Sequence, residues 1–114
     1  MNKIVVSLVL LLSSSFSFSG DWVVTGASVD LIQSTTSTRN AYWIWYSNTS
    51  GADACDGKIK FVPDNGSEHV DAVTFQRGFD LTTAAMVHDL KINIWQYGDV
   101  LDCSNAVANV ELRR

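Results

Sequence analysis

Two cysteines, Cys55 and Cys103, stand behind an N-terminal segment built like an export signal, and that combination constrains the fold more than any other feature. Export takes a chain to a compartment where thiols oxidise, so one intramolecular disulfide is the default expectation for a lone pair. The bridge would enclose roughly 50 residues and contribute about 3–4 kcal/mol in the chain-entropy picture, often less in practice. Against a small domain's net stability of about 5–15 kcal/mol, that is a large share. A redox or zinc role would need a CxxC spacing or further ligands, and the sequence has neither.

The signal reading rests on three successive stretches. Met1-Asn2-Lys3 is short and positive, Ile4 to Leu12 is apolar but for one Ser, and Ser13 to Ser19 is small and polar except for Phe16 and Phe18. Ser17 and Ser19 occupy the small-residue positions a signal peptidase requires, which places cleavage between Ser19 and Gly20. As a helix the apolar run would cover about 13 Å, at roughly 1.5 Å per residue, against a hydrocarbon core of about 30 Å. No membrane insertion is therefore expected, and no Cys stands at the cleavage point to carry a lipid. The expected organisation is a signal peptide over residues 1–19 and a single β-rich domain over residues 20–114, secreted or periplasmic. No repeat, linker or second domain is visible. Such a length forms a real core but lies near the lower end of self-sufficiency.

Eight basic residues face twelve acidic ones in the full chain, a formal charge of −4. Loss of Lys3 with the signal makes it seven against twelve, hence −5. An acidic surface opposes nucleic acid, whose phosphates demand basic patches, and opposes anionic membranes too. The terminal Arg113-Arg114 is too short to reverse that.

Hydrophobic periodicity predicts four or five strands and one helix. Trp22–Thr25 and Ser28–Gln33 read as two short strands, with Gly26 permitting a bend or bulge between them. Ser34 to Asn40 is a polar loop. Ala41 to Ser47 is the clearest strand, with Trp43 and Trp45 on one face and Tyr42, Ile44 and Tyr46 on the other. Both faces are apolar, so either the strand is covered on both sides or one aromatic row is exposed. Gly57 to Val62 follows, Ile59 and Phe61 facing in, Lys58 and Lys60 facing out. Pro63-Asp64-Asn65-Gly66 carries turn chemistry, and Val70 to Gln76 reads as a short extended piece.

Phe79 to Leu90 is the helix, with Asp80 as N-cap and Phe79, Thr83, Met86 and Leu90 along one side. Lys91 to Tyr97 alternates again, Ile92 and Ile94 opposing Asn93, Trp95 and Tyr97. Ala106 to Leu112 closes the chain as a strand with Ala106, Ala108, Val110 and Leu112 on one face. The fold class is therefore mainly β with one helix: a small OB-like antiparallel β-barrel, or a curled sheet capped by the helix. A Cys55–Cys103 bridge would tie the middle of that sheet to its C-terminal edge.

Several segments together resemble the secreted bacterial proteins related to the subtilase cytotoxin B subunit. They are the aromatic strand Ala41–Ser47, then Ala54-Cys55-Asp56-Gly57 leading into Ile59-Lys60-Phe61, and Leu81-Thr82-Thr83-Ala84-Ala85. Lys91-Ile92-Asn93-Ile94-Trp95 and Asp102-Cys103 ahead of Ala106–Leu112 complete the set, and both cysteine positions match. Relatives place a Gly between the helix and the next strand, where this chain has His88-Asp89-Leu90. The resemblance implies an oligonucleotide/oligosaccharide-binding-like barrel, secretion by a Gram-negative bacterium, and sialoglycan binding by a ring of subunits. Many relatives are lone secreted proteins without a toxic partner. The resemblance carries no sugar-contacting residue over to a position in this chain.

Chemistry-bearing residues are sparse. His69 and His88 are the only histidines, no Ser stands in a nucleophile-elbow context, and the disulfide consumes both thiols. No enzyme activity, metal or cofactor is expected. Glu68-His69-Val70-Asp71 reads as a solvated loop, and His88 as a charge suited to a helix C-terminus. Asn48-Thr49-Ser50 and Asn65-Gly66-Ser67 match the glycosylation pattern but read as ordinary loop residues. Trp43, Trp45, Trp95 and Tyr97 are the candidate ligand-binding residues. Aromatic faces accept the apolar CH surfaces of sugar rings, and polar neighbours bond the hydroxyls. The same rings could instead fill a core or a subunit interface. The expected partner is a glycan or a protein surface.

Overall fold

Residues Gly20–Ser34 form a single strand, β1, around which the rest of the sheet is arranged. The computed structural model describes residues 20–34, 40–98 and 101–114. The expected signal over residues 1–19 and most of the polar loop after Ser34 lie outside the described residues. Sequence reasoning split β1 in two, whereas the backbone runs through. Gly26, at φ +65°, absorbs the irregularity within a register shift between Val24 and Ala27. A side chain there would meet the Ser50 hydroxyl at 2.0 Å, so both the backbone angle and the space require glycine. Further shifts fall at Trp22/Val24 and Val29/Leu31. Bulges of this kind bend a strand and steepen its twist without ending it.

After β1 come β2 (Tyr42–Ser47), β3 (Lys58–Phe61), the helix α1 (Ala72–His88), β4 (Lys91–Tyr97) and β5 (Ala108–Arg113). All four pairings are antiparallel, in the order β3-β2-β1-β4-β5. The first part of β1 pairs with β4 and the second with β2, and Ser28 is matched on both sides. The result is a curled sheet capped by the helix, not closed into a barrel.

The edge of β3 is not left bare. Lys60 N–H donates to Cys103 O at 2.8 Å, Ala106 N–H to Lys60 O at 2.9 Å, and Val62 N–H to Ala106 O at 2.9 Å. An isolated parallel bridge joins Phe61 to Ala106. The Cys55–Cys103 disulfide, with Cα atoms 5.7 Å apart, staples the same place. It joins the turn before β3 to the segment leading into β5; because β3 is an outermost strand, the bridge ties one edge of the curled sheet to the approach to the other, not the middle of the sheet as expected, and the backbone of that segment satisfies groups an exposed edge would leave open.

Inside the curl lie Val24, Ile44, Ile59, Phe61, Ile92 and Ile94, all essentially inaccessible. Each such side chain contributes about 1.5–3 kcal/mol through burial. Alternation in β2, β3 and β4 follows the sequence expectation. In β5, Val110 is buried, but Leu112, although paired with the buried Ile92, is 38 % exposed on this edge strand.

The helix departs from expectation. It begins at Ala72, and the Asp71 carboxylate accepts the Thr74 N–H at 2.7 Å as N-cap. Asp80 instead lies inside the helix, accepting from Gln76 Nε2 at 3.0 Å. Val70 to Gln76 looks extended because Val73, Thr74 and Phe75 favour strands. The cap and tertiary packing override that preference. Tyr42 is enclosed by Phe61, Phe75 and Phe79, with ring centroids 5.0, 5.5 and 5.0 Å away. The buried helix positions are Thr82 and Ala85, while Met86 is 44 % exposed, so the inward face is rotated from the one expected. Thr82 Oγ1 donates to Gly78 O at 2.8 Å, which satisfies its hydroxyl. At the C-terminus Asp89 takes the left-handed conformation, φ 53°, that glycine most often supplies at a helix end.

Candidate ligand-binding face

Strand alternation sends Tyr42, Ile44 and Tyr46 into the core and turns Trp43 and Trp45 outward, half-buried. Register then decides their neighbours. Trp45 stands between Leu31 of β1 and Lys58 of β3, and Trp43 between Gln33 and Lys60. These two cross-strand rows make a small face with aromatic rings in the middle, cations on one side and Leu31 and Gln33 on the other.

The two rings lie 6.2 Å apart and tilt by 39°. Lys58 Nζ sits over both, 4.4 Å from the Trp43 centroid and 4.9 Å from that of Trp45. Lys60 Nζ is 5.7 Å from Trp43. At an exposed site each such contact is worth about 0.5–1 kcal/mol. Among the described residues neither ammonium has a carboxylate within ion-pair distance. Both ammonium groups rest against the rings.

The other expected residues lie elsewhere. Trp95 pairs across the sheet with Trp22, centroids 5.0 Å apart and rings nearly perpendicular at 84°. Trp22 is 39 % exposed and Trp95 half-buried. Tyr97, at the end of β4, donates its backbone N–H to Val107 O at 3.0 Å and has no ring contact among the described residues. Trp43 and Trp45 are thus brought together, whereas Trp95 and Tyr97 belong to a different part of the surface. Sequence reasoning did not single out Lys58 and Lys60 beside Trp43 and Trp45, nor Trp22 beside Trp95. The outward direction of both lysines was readable, but their position beside the tryptophans depends on register.

Beneath the face, the phenols of Tyr42 and Tyr46 are both pushed well above the ordinary tyrosine value, chiefly by burial. For Tyr46 a hydrogen bond to Asp53 Oδ1, at 2.6 Å, adds to the rise. Both phenols stay protonated, and that of Tyr46 donates to Asp53. His69 and Asp64 form an isolated backbone bridge and Asp71 is spent on capping. No group of three His, Cys, Asp or Glu suited to a metal is found among the described residues. Among the described residues, an open hollow of about 390 Å³ near Ser34, Tyr42, Phe75 and Phe79 is lined by no His, Cys, Asp, Glu, Lys or Arg.

No curated protein and no solved structure matches the chain. A family model does match, over residues 3–112, and by that span the chain belongs to a family of unknown function (DUF5992).

Proposed function

We propose that the protein is an exported, non-catalytic binding module that recognises a glycan through the outward face of β2. One observation carries this reading: Trp43 and Trp45 stand side by side, half-exposed, on the face of the sheet away from the core. Half-exposed rings present CH-binding surface to a sugar, and Gln33, Lys58 and Lys60 supply hydrogen-bond donors around them. The resemblance to the B-subunit-like proteins points the same way, toward recognition without catalysis. Export accords with the disulfide, which persists in oxidising compartments. The mass of the protein recovered from the periplasm or medium should correspond to a start at Gly20.

The test is a glycan array probed with the wild type and with Trp43→Ala, Trp45→Ala and Trp95→Ala. The first two should weaken binding by about tenfold or more, as hot-spot aromatics do. Trp95→Ala should leave it largely unchanged. Binding that survives both substitutions in β2 would sink the aromatic-face reading.

A second reading, a protein-interaction subunit without sugar affinity, draws on α1. Its outward residues Val73, Met86 and Val87 are exposed, Val87 to 71 %. A stoichiometric protein partner together with a blank glycan array would favour it.

A further inference from the structure

Of the two sheet edges, one is covered and the other is open. The backbone of Cys103 to Ala106 runs along β3, whereas among the described residues no segment bonds the outer side of β5. Every second residue of an antiparallel strand turns its N–H and C=O away from its paired neighbour, so β5 presents a row of open donors and acceptors. It carries neither proline nor lysine to blunt that row, and no bulge breaks its register with β4. We infer that β5 pairs with β5 of a second copy of this chain, antiparallel and centred on Leu112, in an isologous dimer with one continuous sheet.

Charge chooses that register. Side chains meet across an antiparallel pair only on a shared face, so a strand paired with itself is centred on one residue. Centring on Glu111 or on Arg113 would set like charges opposite each other, and centring on Val110 would set Glu111 opposite Asn109. Centred on Leu112, Glu111 of each copy stands opposite Arg113 of the other, which gives two ion pairs. Both groups are open to such a partner. Glu111 accepts from Asn93 Nδ2 at 2.9 Å through Oε1 alone. Arg113, opposite Lys91 of β4, has no carboxylate partner among the described residues. The same register sets the two copies of Leu112, each 38 % exposed on the open edge, against each other. Met86 and Val87 add exposed apolar surface at the same end of the sheet, since only Asp89 and Leu90 separate α1 from Lys91. The contact closes on itself at two copies, unlike a ring, which needs two different surfaces meeting head to tail.

The test is sedimentation of the protein recovered from the periplasm or medium, over about a hundredfold range of concentration, because a contact this short is of the weak class. The expected result is a monomer–dimer equilibrium with no larger species. Glu111→Arg alone and Arg113→Glu alone should each weaken the dimer by about tenfold or more, since each sets like charges opposite one another. Mixed one to one, the two variants should pair with each other, because one chain then carries two cations where the other carries two carboxylates. Circular dichroism and urea midpoints check that loss of the Asn93 bond leaves the sheet of Glu111→Arg intact. Arg113→Glu breaks no bond among the described residues and carries the test alone if Glu111→Arg unfolds. A protein that stays monomeric at every concentration overturns the inference and leaves the edge to an extended segment of a different protein. A dimer indifferent to both substitutions overturns it, since the contact is then elsewhere, and so does a ring of three or more. Folded variants that are monomeric alone and remain so when mixed overturn the register, and with it the inference.

Discussion

The two tryptophan pairs are made of the same residue type on the outward side of the same sheet, yet their surroundings differ. Trp22 and Trp95 face each other across β1 and β4 and meet edge-to-face. Each ring finds its favoured partner in the other, as the aromatic quadrupole prefers. Trp43 and Trp45 sit two residues apart on one strand, tilted and 6.2 Å apart, and their shared partner is a cation from β3. Register sets Trp opposite Trp in one place and Lys opposite Trp in the other. A ring paired with a ring is satisfied within the protein, while a ring paired with an uncommitted cation leaves charge to offer.

The largest expected effect breaks the comparison by loosening one side of it. Replacing both Cys55 and Cys103 by Ser should cost about 2–4 kcal/mol in urea unfolding. Lys60 N–H bonds Cys103 O directly, so hydrogen exchange should quicken most at Lys60 and Val62. Amides of β1 and β4 around Trp22 and Trp95 should keep more of their protection. Equal loss at both places would mean that the pairs share one cooperative unit.

Alkaline pH should also act first beneath the β2 pair. The Tyr42 and Tyr46 phenols have folded-state values raised above the ordinary 10.0, by burial before anything else. Above that pH the unfolded chain loses phenolic protons that the folded chain retains. The folded state then binds more protons, and stability falls as pH rises. Thermal melts from pH 9 upward should show the decline, and Tyr42→Phe should reduce it.

What was legible in the sequence follows the range of the interactions involved. Alternation within Tyr42–Ser47 and Lys91–Tyr97 is local, so Trp43 and Trp45 were readable as one outward row, with Ile92 and Ile94 inward. The start of α1 was not readable, because β-branched residues near Val73 argue for a strand. What decides there is the Asp71 cap and the aromatic enclosure of Tyr42, a contact between segments far apart in sequence. The Trp22–Trp95 pair and the lysines over Trp43 needed strand register across long connections. No pattern within a single strand contains that information.

A double-mutant cycle on Trp22→Ala and Trp95→Ala should return a coupling of about 0.5–1.5 kcal/mol, the usual worth of an aromatic pair beyond its burial. Urea midpoints of the four proteins supply the measurement. A coupling near zero would make the two rings independent surface residues, and the contrast with the β2 pair would lose one of its sides.

The smallest effect sharpens the comparison most. A cycle on Lys58→Gln and Trp43→Ala should give about 0.5–1 kcal/mol, the range for exposed cation–π contacts. Lys60→Gln against Trp43→Ala should give less, because Lys60 Nζ is 5.7 Å from that ring where Lys58 Nζ is 4.4 Å away. Such attraction falls with distance, and solvent screens it at the surface. Lys58 also touches Trp45, so Trp43→Ala removes only part of what holds it, and adding Trp45→Ala should lower the remaining effect of Lys58→Gln further. A ranking with Lys58 above Lys60 would place the held charge between the two rings. A reversed ranking would move that charge to the edge of the face, beside Trp43 alone.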